Sequence, residues 1–426
     1  MKKTKLNRPN PQDPVEKLIA SEQMELTGMN ILSLLQFGGQ TLLKNAIADE
    51  ITHYLQREHY KHLKPGQVFK GQRNGYRKTT IDSPIGPIQF DRPLVAHAPD
   101  FKSQYHSPYM RRPEEFAAAI SEMYVNGVST RKVKDTLKSI SGERVKLSKS
   151  TVSRITKRLR DEFSKWKHRD LSGLSVAYLF VDAIHVGMRM GEKGKDAIFV
   201  AYAILESGQF EPVSIGLGHS ESKRGWGRFI SDLKQRGLKD PLLCVSDGNF
   251  SVIEALENNF PTSYRQRCTK HKVANVLDTI PKVKHPEMRK RISRIFYGAT
   301  SLEQAKLFIK DFKKEFGKKY PTAIECLDRD LEQCLTFYLF PANHWKRIRT
   351  SNKLERLNLE IRRRLKVIGR HPSEEGCMAL IYQLSSRYSF RQQNVKANDL
   401  TVKLWQKLRQ DKVSMLEQLE LDLFAA

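Results

Sequence analysis

The feature that most restricts the fold of this chain is a change of hydrophobic period after the segment DLSGLS, near residue 171. Beyond it come AYLFVDA, HVGMRM, IFVAYAILE and EPVSIGLG, apolar or alternating runs with short breaks that read as three or four successive strands. A helical segment from Ser222 to Arg236 follows, then the strand PLLCVSD, a helix from about Phe250 to Asn259 and the short strand SYRQR. Strands that succeed one another and then alternate with helices predict an α/β fold. From Lys270 to about Leu339 every segment has helical spacing, and a very basic helix from about Asn352 to Ile368 precedes a last helical region.

Upstream of that change the period is mainly helical. Between Pro14 and Tyr60, Ile31, Leu34, Leu35, Leu42, Leu43, Ile47, Ile51 and Leu55 recur mostly at three- and four-residue steps, which predicts one or two amphipathic helices. The stretch GQRNGYRKTTIDSPIGPIQFDRP changes to turn dipeptides and β-prone runs around Ile81, Ile85, Ile88 and Phe90, as a small hairpin would. Its Arg73, Arg77 and Lys78 can reach phosphates, and a merely solvated basic hairpin is the alternative. Two helical segments then stand side by side. In the first, Ile120, Met123 and Tyr124 precede Gly127, and Ser129 can cap a new helix carrying Val133 and Leu137. In the second, Ser148 can cap a helix that buries Val152, Ile155 and Leu159 and leaves Ser150, Thr151, Arg154 and Lys157 outward. Short polar and basic side chains at the start of a helix suit the recognition helix of a helix-turn-helix, against the alternative of an ordinary helical hairpin.

Charge narrows the partner. In 426 residues, 74 Lys and Arg stand against 47 Asp and Glu, a formal net charge of +27, which points to a polyanion, nucleic acid first. No apolar run reaches the roughly 18 residues that a spanning helix needs, and the basic start MKKTKLNRPNPQDP lacks a secretory apolar region. The odd number of scattered cysteines, Cys244, Cys268, Cys326, Cys334 and Cys377, predicts a reducing cytoplasm rather than a disulfide framework.

The chemistry rests on acids. Asp182 closes the buried run YLFV, and Asp247 closes LLCVS before DGNFSVIEAL turns into a helix. Ligands of open α/β sheets collect at strand carboxyl ends, so acids on neighbouring strands would converge, although each alone also fits a turn former or helix cap. Glu355 lies in SNKLERLNLEIRRRLKVIGR, where Leu354, Leu357, Ile361, Leu365 and Ile368 form a buried stripe and Glu355 and Arg362 share a flank. A surface acid balanced by Arg356 and Arg362 is the bland reading. Yet Lys346 to Arg370 holds ten Lys or Arg and two Glu, a field that would draw a phosphate backbone. Metals explain acids in such a groove: three carboxylates can hold two divalent ions that clamp a scissile phosphate. Mg²⁺ suits this, with Mn²⁺ in its place, because it completes its octahedron with water and phosphate oxygens.

These residues resemble the Mutator-type transposases of bacterial insertion sequences, a family of the DDE superfamily. The resemblance runs through RNGYRKTTI, MYVNGVSTRKV, STVSRITKRL, FVDAIHVGMR, VSDGNFSVIEAL, QRCTKHKVANVL and SNKLERLNLEIRRRLKVIGRHPSEE, in the family's order. It implies an RNase H-like catalytic core with an all-helical insertion, preceded by a mainly helical DNA-binding region containing a helix-turn-helix. The implied order is a helical region at 1–65, the hairpin element at 66–113 and the helix-turn-helix domain at 114–170. The catalytic domain begins at 171–269, is interrupted by the insertion at 270–340, and resumes with the Glu-bearing helix at 341–395 before a helical tail at 396–426. Asp182, Asp247 and Glu355 correspond to the catalytic triad, and motif order selects Glu355 over Glu360. Cys268 and His271 correspond to the C-x-x-H signature. That pair supplies only two ligands of a tetrahedral zinc site and no second nearby pair completes it, so a structural or DNA-proximal role is expected. His185 is expected to pack or be solvated.

The implied reaction is metal-dependent cleavage at the ends of the element, followed by attack of the freed 3′-hydroxyl on a second phosphate. The N-terminal region would bind the terminal inverted repeats, with Arg356, Arg362, Arg363 and Arg364 holding DNA near the metals. Two ends must be joined, so a homodimer or larger synaptic assembly is expected. A nuclease or resolvase that cleaves without joining, and a catalytically inactive helix-turn-helix regulator, are the alternatives.

Overall fold

The computed structural model describes residues 30–107, 112–141, 149–186, 196–218, 221–368, 373–390, 395 and 397–425. The chain divides between Thr156 and Lys157 into two compact units.

In the first unit, helix α1 (Ile31–Leu55) starts where the Asn30 side chain accepts the Ser33 N–H and ends at Gln56 in the left-handed region. Its buried Ile47, Ile51 and Leu55 pack on Ile81 and Phe90 of a two-stranded antiparallel hairpin, β1 (Gln72–Ser83) and β2 (Gly86–Ala96). Arg73 is taken up by that packing: its guanidinium donates to Thr52 Oγ1 and to the carbonyls of Arg57 and Glu58, closing the end of α1. Arg77 and Lys78, farther along β1, are exposed. Three helices follow: α2 (Glu114–Val125), α3 (Thr130–Ser141) and α4 (Lys149–Lys167). Gly127 has φ of +96°, the left-handed turn that Gly allows between α2 and α3. Ser129 Oγ accepts the Lys132 N–H at 3.4 Å as α3 begins. Phe116, Ile120, Val133, Leu137 and Val152 form one buried core across α2, α3 and the start of α4, with Met123, Val128 and Ile155 against it. Ser148 lies outside the described residues.

The second unit is built on a five-stranded mixed sheet in the order β5-β4-β3-β6-β7. Strands β3 (Val176–Val186), β4 (Asp196–Leu205) and β5 (Phe210–Gly218) run antiparallel, while β6 (Leu243–Ser246) and β7 (Tyr264–Arg267) extend the sheet in parallel from β3. AYLFVDA and the start of HVGMRM, read above as separate runs, form the single strand β3. Asp182 accordingly stands inside a strand, opposite Val200 of β4, and does not close one.

Alternation sends the two sets of β3 and β4 side chains to opposite faces. Leu179, Val181, Phe199 and Ala201 pack against α5 (Lys223–Gln235) and α6 (Phe250–Asn259), where Trp226 stacks on Phe199 with ring centroids 4.1 Å apart. Each such fully buried large side chain contributes roughly 1.5–3 kcal/mol. Tyr178, Asp182 and Tyr202 belong to the other face, which carries polar partners from the C-terminal helices. The Tyr178 hydroxyl lies 2.8 Å from His344 Nδ1, on α12 (Ala342–Ile348). It also accepts from Trp405 Nε1 of α15 (Asp399–Ala425). The Tyr202 hydroxyl bonds Ser385 Oγ of α14 (Glu374–Phe390) at 2.9 Å. Both hydroxyls are therefore buried with partners, as buried polar groups must be.

Between β7 and α12 the chain forms a helical block: α7 (Thr269–Asp278), α8 (His285–Ser293), α9 (Leu302–Phe316), α10 (Pro321–Asp328) and α11 (Leu331–Leu335). It has its own core around Val276, Ile292, Phe296, Phe312 and Leu327. The basic helix α13 spans Asn352–Ile368 and buries Leu354, Leu357, Ile361 and Leu365; the Ile368 side chain lies outside the described set. Among the described residues no helix is long and apolar enough to cross a membrane.

Candidate active site

Strand register sets the first two acids. Tyr178 pairs with Leu243 and Phe180 with Val245 across the parallel β3–β6 ladder. Continuing the same offset brings Asp182 level with Asp247, on the same face, because steps of two preserve the face of a strand. Asp247 follows the last residue of β6, and its Oδ1 accepts the Asn249 N–H at 3.0 Å. Asn249, and not Asp247, caps α6, accepting the Ser251 N–H. Between them Gly248 has φ of +93°, and a Cβ there would come within 2.5 Å of Arg267 Nε. Glycine is required on both counts. Arg267 is itself fixed by an ion pair with Asp330.

Asp182 is partly enclosed. Its Oδ1 accepts the Ala183 N–H and its Oδ2 accepts Asn358 Nδ2 at 2.7 Å. Burial pushes this carboxyl up to about 6; the Ala183 N–H opposes, the negative charge of Asp247 adds to the rise, and His271 and Arg362 act against it.

Asn358 ties α13 to the sheet, and Glu355 precedes it by three residues, on the same helical face. Glu355 thus stands one turn from the residue that grips Asp182. Its Oε2 accepts from Lys270 of α7, and its Oε1 is buried without a hydrogen-bond partner among the described residues. Beside it lies the C-x-x-H pair: Cys268 Sγ, a His271 ring nitrogen and a Glu355 carboxylate oxygen are all within 4.8 Å of one another. Cys268 is fully buried, and its sulfur accepts from both the N–H and Oγ of Ser351 at 3.4 Å. Burial would raise that thiol, but the hydrogen bond and charge of His271, with the Ser351 donors, hold it below its ordinary value. The hydrogen bond to Cys268 in turn lifts His271 to about 9 against its burial, and the charges of Cys268, Asp247 and Glu355 act in the same sense. His271 therefore feels all three acids' surroundings, while the tight grouping is Glu355 with Cys268 and His271 rather than Glu355 with the two aspartates.

The basic residues divide by what holds them. Arg356 and Arg362 are exposed, and Arg362 acts on the Asp182 charge. Arg364 is 2.9 Å from Glu360 Oε1, and Arg363 is 3.7 Å from its Oε2. In the first unit Arg77 and Arg154 are exposed, Thr151 is half-buried with Oγ1 3.5 Å from Arg154, and the Ser150 side chain lies outside the described set. Lys157, exposed, opens the second unit beside a pocket lined by Arg160, Lys167, His168 and Glu375. His185 is exposed and 2.8 Å from Glu221, whose other oxygen accepts from Asn249. Sequence reasoning passed over Asn358, Lys270 and Ser351. Asn358 carries a signal, its three-residue spacing from Glu355, but only once α13 is known to lie on the acid-bearing face.

Comparison with known proteins gives the family. The sequence profile of the transposase Mutator family matches residues 15–392. The chain is 34% identical over 278 residues to the transposase for insertion sequence element IS6120 of Mycolicibacterium smegmatis, covering 65% of this chain and 85% of that one. It is 32% identical over 316 residues to the ISRM5 transposase of Rhizobium meliloti, covering 74% and 78%. It is 29% identical over 345 residues to the IS256 transposase of transposon Tn4001 from Staphylococcus aureus, covering 80% and 86%. With a profile match across most of its length, the chain belongs to the Mutator family of transposases.

Proposed function

We propose that this transposase binds the terminal inverted repeats of an insertion sequence and cuts and rejoins DNA at a site built from Asp182, Asp247 and Glu355. The observation that carries this reading is the bond from Asn358 to Asp182, which sets α13, with Glu355 one turn before Asn358, against the strand whose register, continued by two residues, reaches Asp247. Three antiparallel strands, of which the acid-bearing β3 is central in the sheet, and two parallel additions support an RNase H-like core, with the helical block as its insertion.

The donor set fits Mg²⁺ or Mn²⁺. Carboxylates are hard oxygen ligands, and a buried acid lifted to about 6 beside a second acid is one that a divalent cation would return to its ionised form. Two such ions, when bound, would supply the Lewis acidity that activates the attacking oxygen and steadies the leaving one. The chain's own part is positional. Asn358 fixes the Asp182 carboxylate, the Gly248 turn aims Asp247, and Lys270 holds one Glu355 oxygen so that the other stays available. Arg356 and Arg362 offer cations to the phosphates of the strand being cut, and Arg77, Ser150, Thr151, Arg154 and Lys157 serve recognition of the repeats. The α2–α4 core supports a helix-turn-helix reading for that task. Paired DNA ends call for a homodimer or larger assembly.

The test uses the purified full chain, a labelled duplex carrying the inverted repeat that flanks its gene, and Mg²⁺. Asp182→Asn, Asp247→Asn and Glu355→Gln should each bind the duplex and neither cut nor join it. Joining retained in any of them removes that residue from the site. Cutting without joining by wild type would favour a nuclease or resolvase, and binding alone would favour a regulator.

A further inference from the structure

Cys268 and His271 offer a metal ion only two ligands from the N-cap and first turn of α7, and the fold brings the third from α13, since Glu355 closes the group to within 4.8 Å. In a tetrahedral zinc site with sulfur at about 2.3 Å and nitrogen or oxygen at about 2.0–2.2 Å, ligand atoms stand roughly 3.5 Å apart. Small side-chain rotations bridge that difference. Two of the three residues also carry a buried atom with no hydrogen-bond partner among the described residues, His271 Nδ1 and Glu355 Oε1. The surroundings are those of a ligating sulfur, because Ser351 directs an N–H and a hydroxyl at Sγ while Lys270 orients the carboxylate. A thiolate, an imidazole and a carboxylate select zinc over magnesium, which prefers oxygen alone.

We propose that Cys268, His271 and Glu355 form a zinc site distinct from the Mg²⁺ position at Asp182 and Asp247, and that zinc bound there is inhibitory because it withdraws Glu355 from the aspartates. Binding releases the thiol and imidazole protons to solvent. The inhibitory half rests on the catalytic reading of Glu355 given above; the site itself does not.

Co²⁺ serves as a visible stand-in for zinc on the full-length protein. One equivalent should produce a sulfur-to-cobalt charge-transfer band and the intense visible absorption of four-coordinate cobalt. Both should survive a large excess of Mg²⁺ and disappear on adding Zn²⁺. Cys268→Ser should lose the charge-transfer band, and Asp182→Asn should keep it. Should Cys268→Ser not fold, Ser351→Ala keeps all three ligands and is expected to weaken Co²⁺ binding by about tenfold or more. A wild-type protein without the charge-transfer band, or a band that survives in folded Cys268→Ser, overturns the site. Stoichiometric Zn²⁺ should abolish Mg²⁺-dependent cleavage and a chelator should restore it. Cleavage undiminished by Zn²⁺ in protein that shows the band overturns the inhibitory role. A band in protein that never cleaves with Mg²⁺ supports the site and counts against the catalytic reading.

Discussion

A carboxylate held on a sheet face beside a second acid is destabilised as an anion, and Asp182 carries that burden in the metal-free protein. Its ordinary value of 3.8 rises to about 6 in the fold, chiefly through burial. Below about 4 both folded and unfolded chains hold the proton. Between about 4 and 6 the folded chain keeps a proton that the unfolded chain has lost, so stability falls as pH rises through that window. Above about 6 the full penalty of the buried charge is present. Asp182→Asn removes the charge and retains an oxygen for the Asn358 donor. In chelator at pH 8 the variant should melt above wild type, and the gap should close toward pH 4. Mg²⁺ at pH 8 should raise the Tm of wild type and leave the variant unmoved. A variant that melts below wild type in chelator at pH 8 would mean that Asp182 contributes as an anion through partners other than metal. The residue types of this site were legible in the sequence; their mutual placement was not. Asp182 and Asp247 could be read as strand acids, yet only the β3–β6 register makes their spacing meaningful. Glu355 was reached by motif order, and its neighbours Cys268 and His271 belong to a segment that local periodicity cannot bring to it.

At the scale of elements, α4 offers the sharper test. In its first turns Val152 and Ile155 meet the small core of α2 and α3, which leaves Arg154 exposed beside Thr151. If α4 reads bases in the major groove, Arg154→Ala should lose about 1–3 kcal/mol of affinity for the inverted repeat. It should bind unrelated duplex nearly as before and keep its Tm, since no core contact is removed. Ile120→Ala supplies the contrast: this fully buried side chain should cost about 2–5 kcal/mol of stability. Unchanged discrimination between repeat and unrelated duplex in Arg154→Ala would reduce α2–α4 to an ordinary helical bundle. Elements with strong periodicity were legible in advance. The span Asn352–Ile368 matches its expected helix, and Ser222 and Arg236, the expected ends of another, are the caps of α5. The β3 strand was harder, because an acid in its middle looks like an end when only the apolar run is counted. Arg73 likewise looked like a phosphate ligand until the end of α1 took three of its donor bonds.

For the whole molecule, a net charge of +27 makes DNA affinity a function of salt before it is a function of sequence. Each phosphate contact releases condensed counterions, so log K falls with log salt concentration with a slope of about 0.9 per contact on duplex DNA. The cations on α13 are not equivalent in this respect. Arg363 and Arg364 already face Glu360, so a phosphate would have to compete with a carboxylate for them. Arg356 and Arg362 are exposed, and Arg362 acts on the Asp182 charge. Replacing Arg356 and Arg362 together with Ala should reduce the salt slope by about two and weaken binding to repeat and unrelated duplex alike. The same replacement of Arg363 and Arg364 should change the slope by less, because ion pairs lost to Glu360 offset part of the charge removed. Anisotropy titrations over a range of KCl measure all three proteins on one duplex. Equal slopes for wild type and Arg356→Ala/Arg362→Ala would place the DNA path away from α13. The phosphate to be cut would then have to reach Asp182 and Asp247 from another side of the sheet, and Glu355 would lose its reason to stand among so many cations.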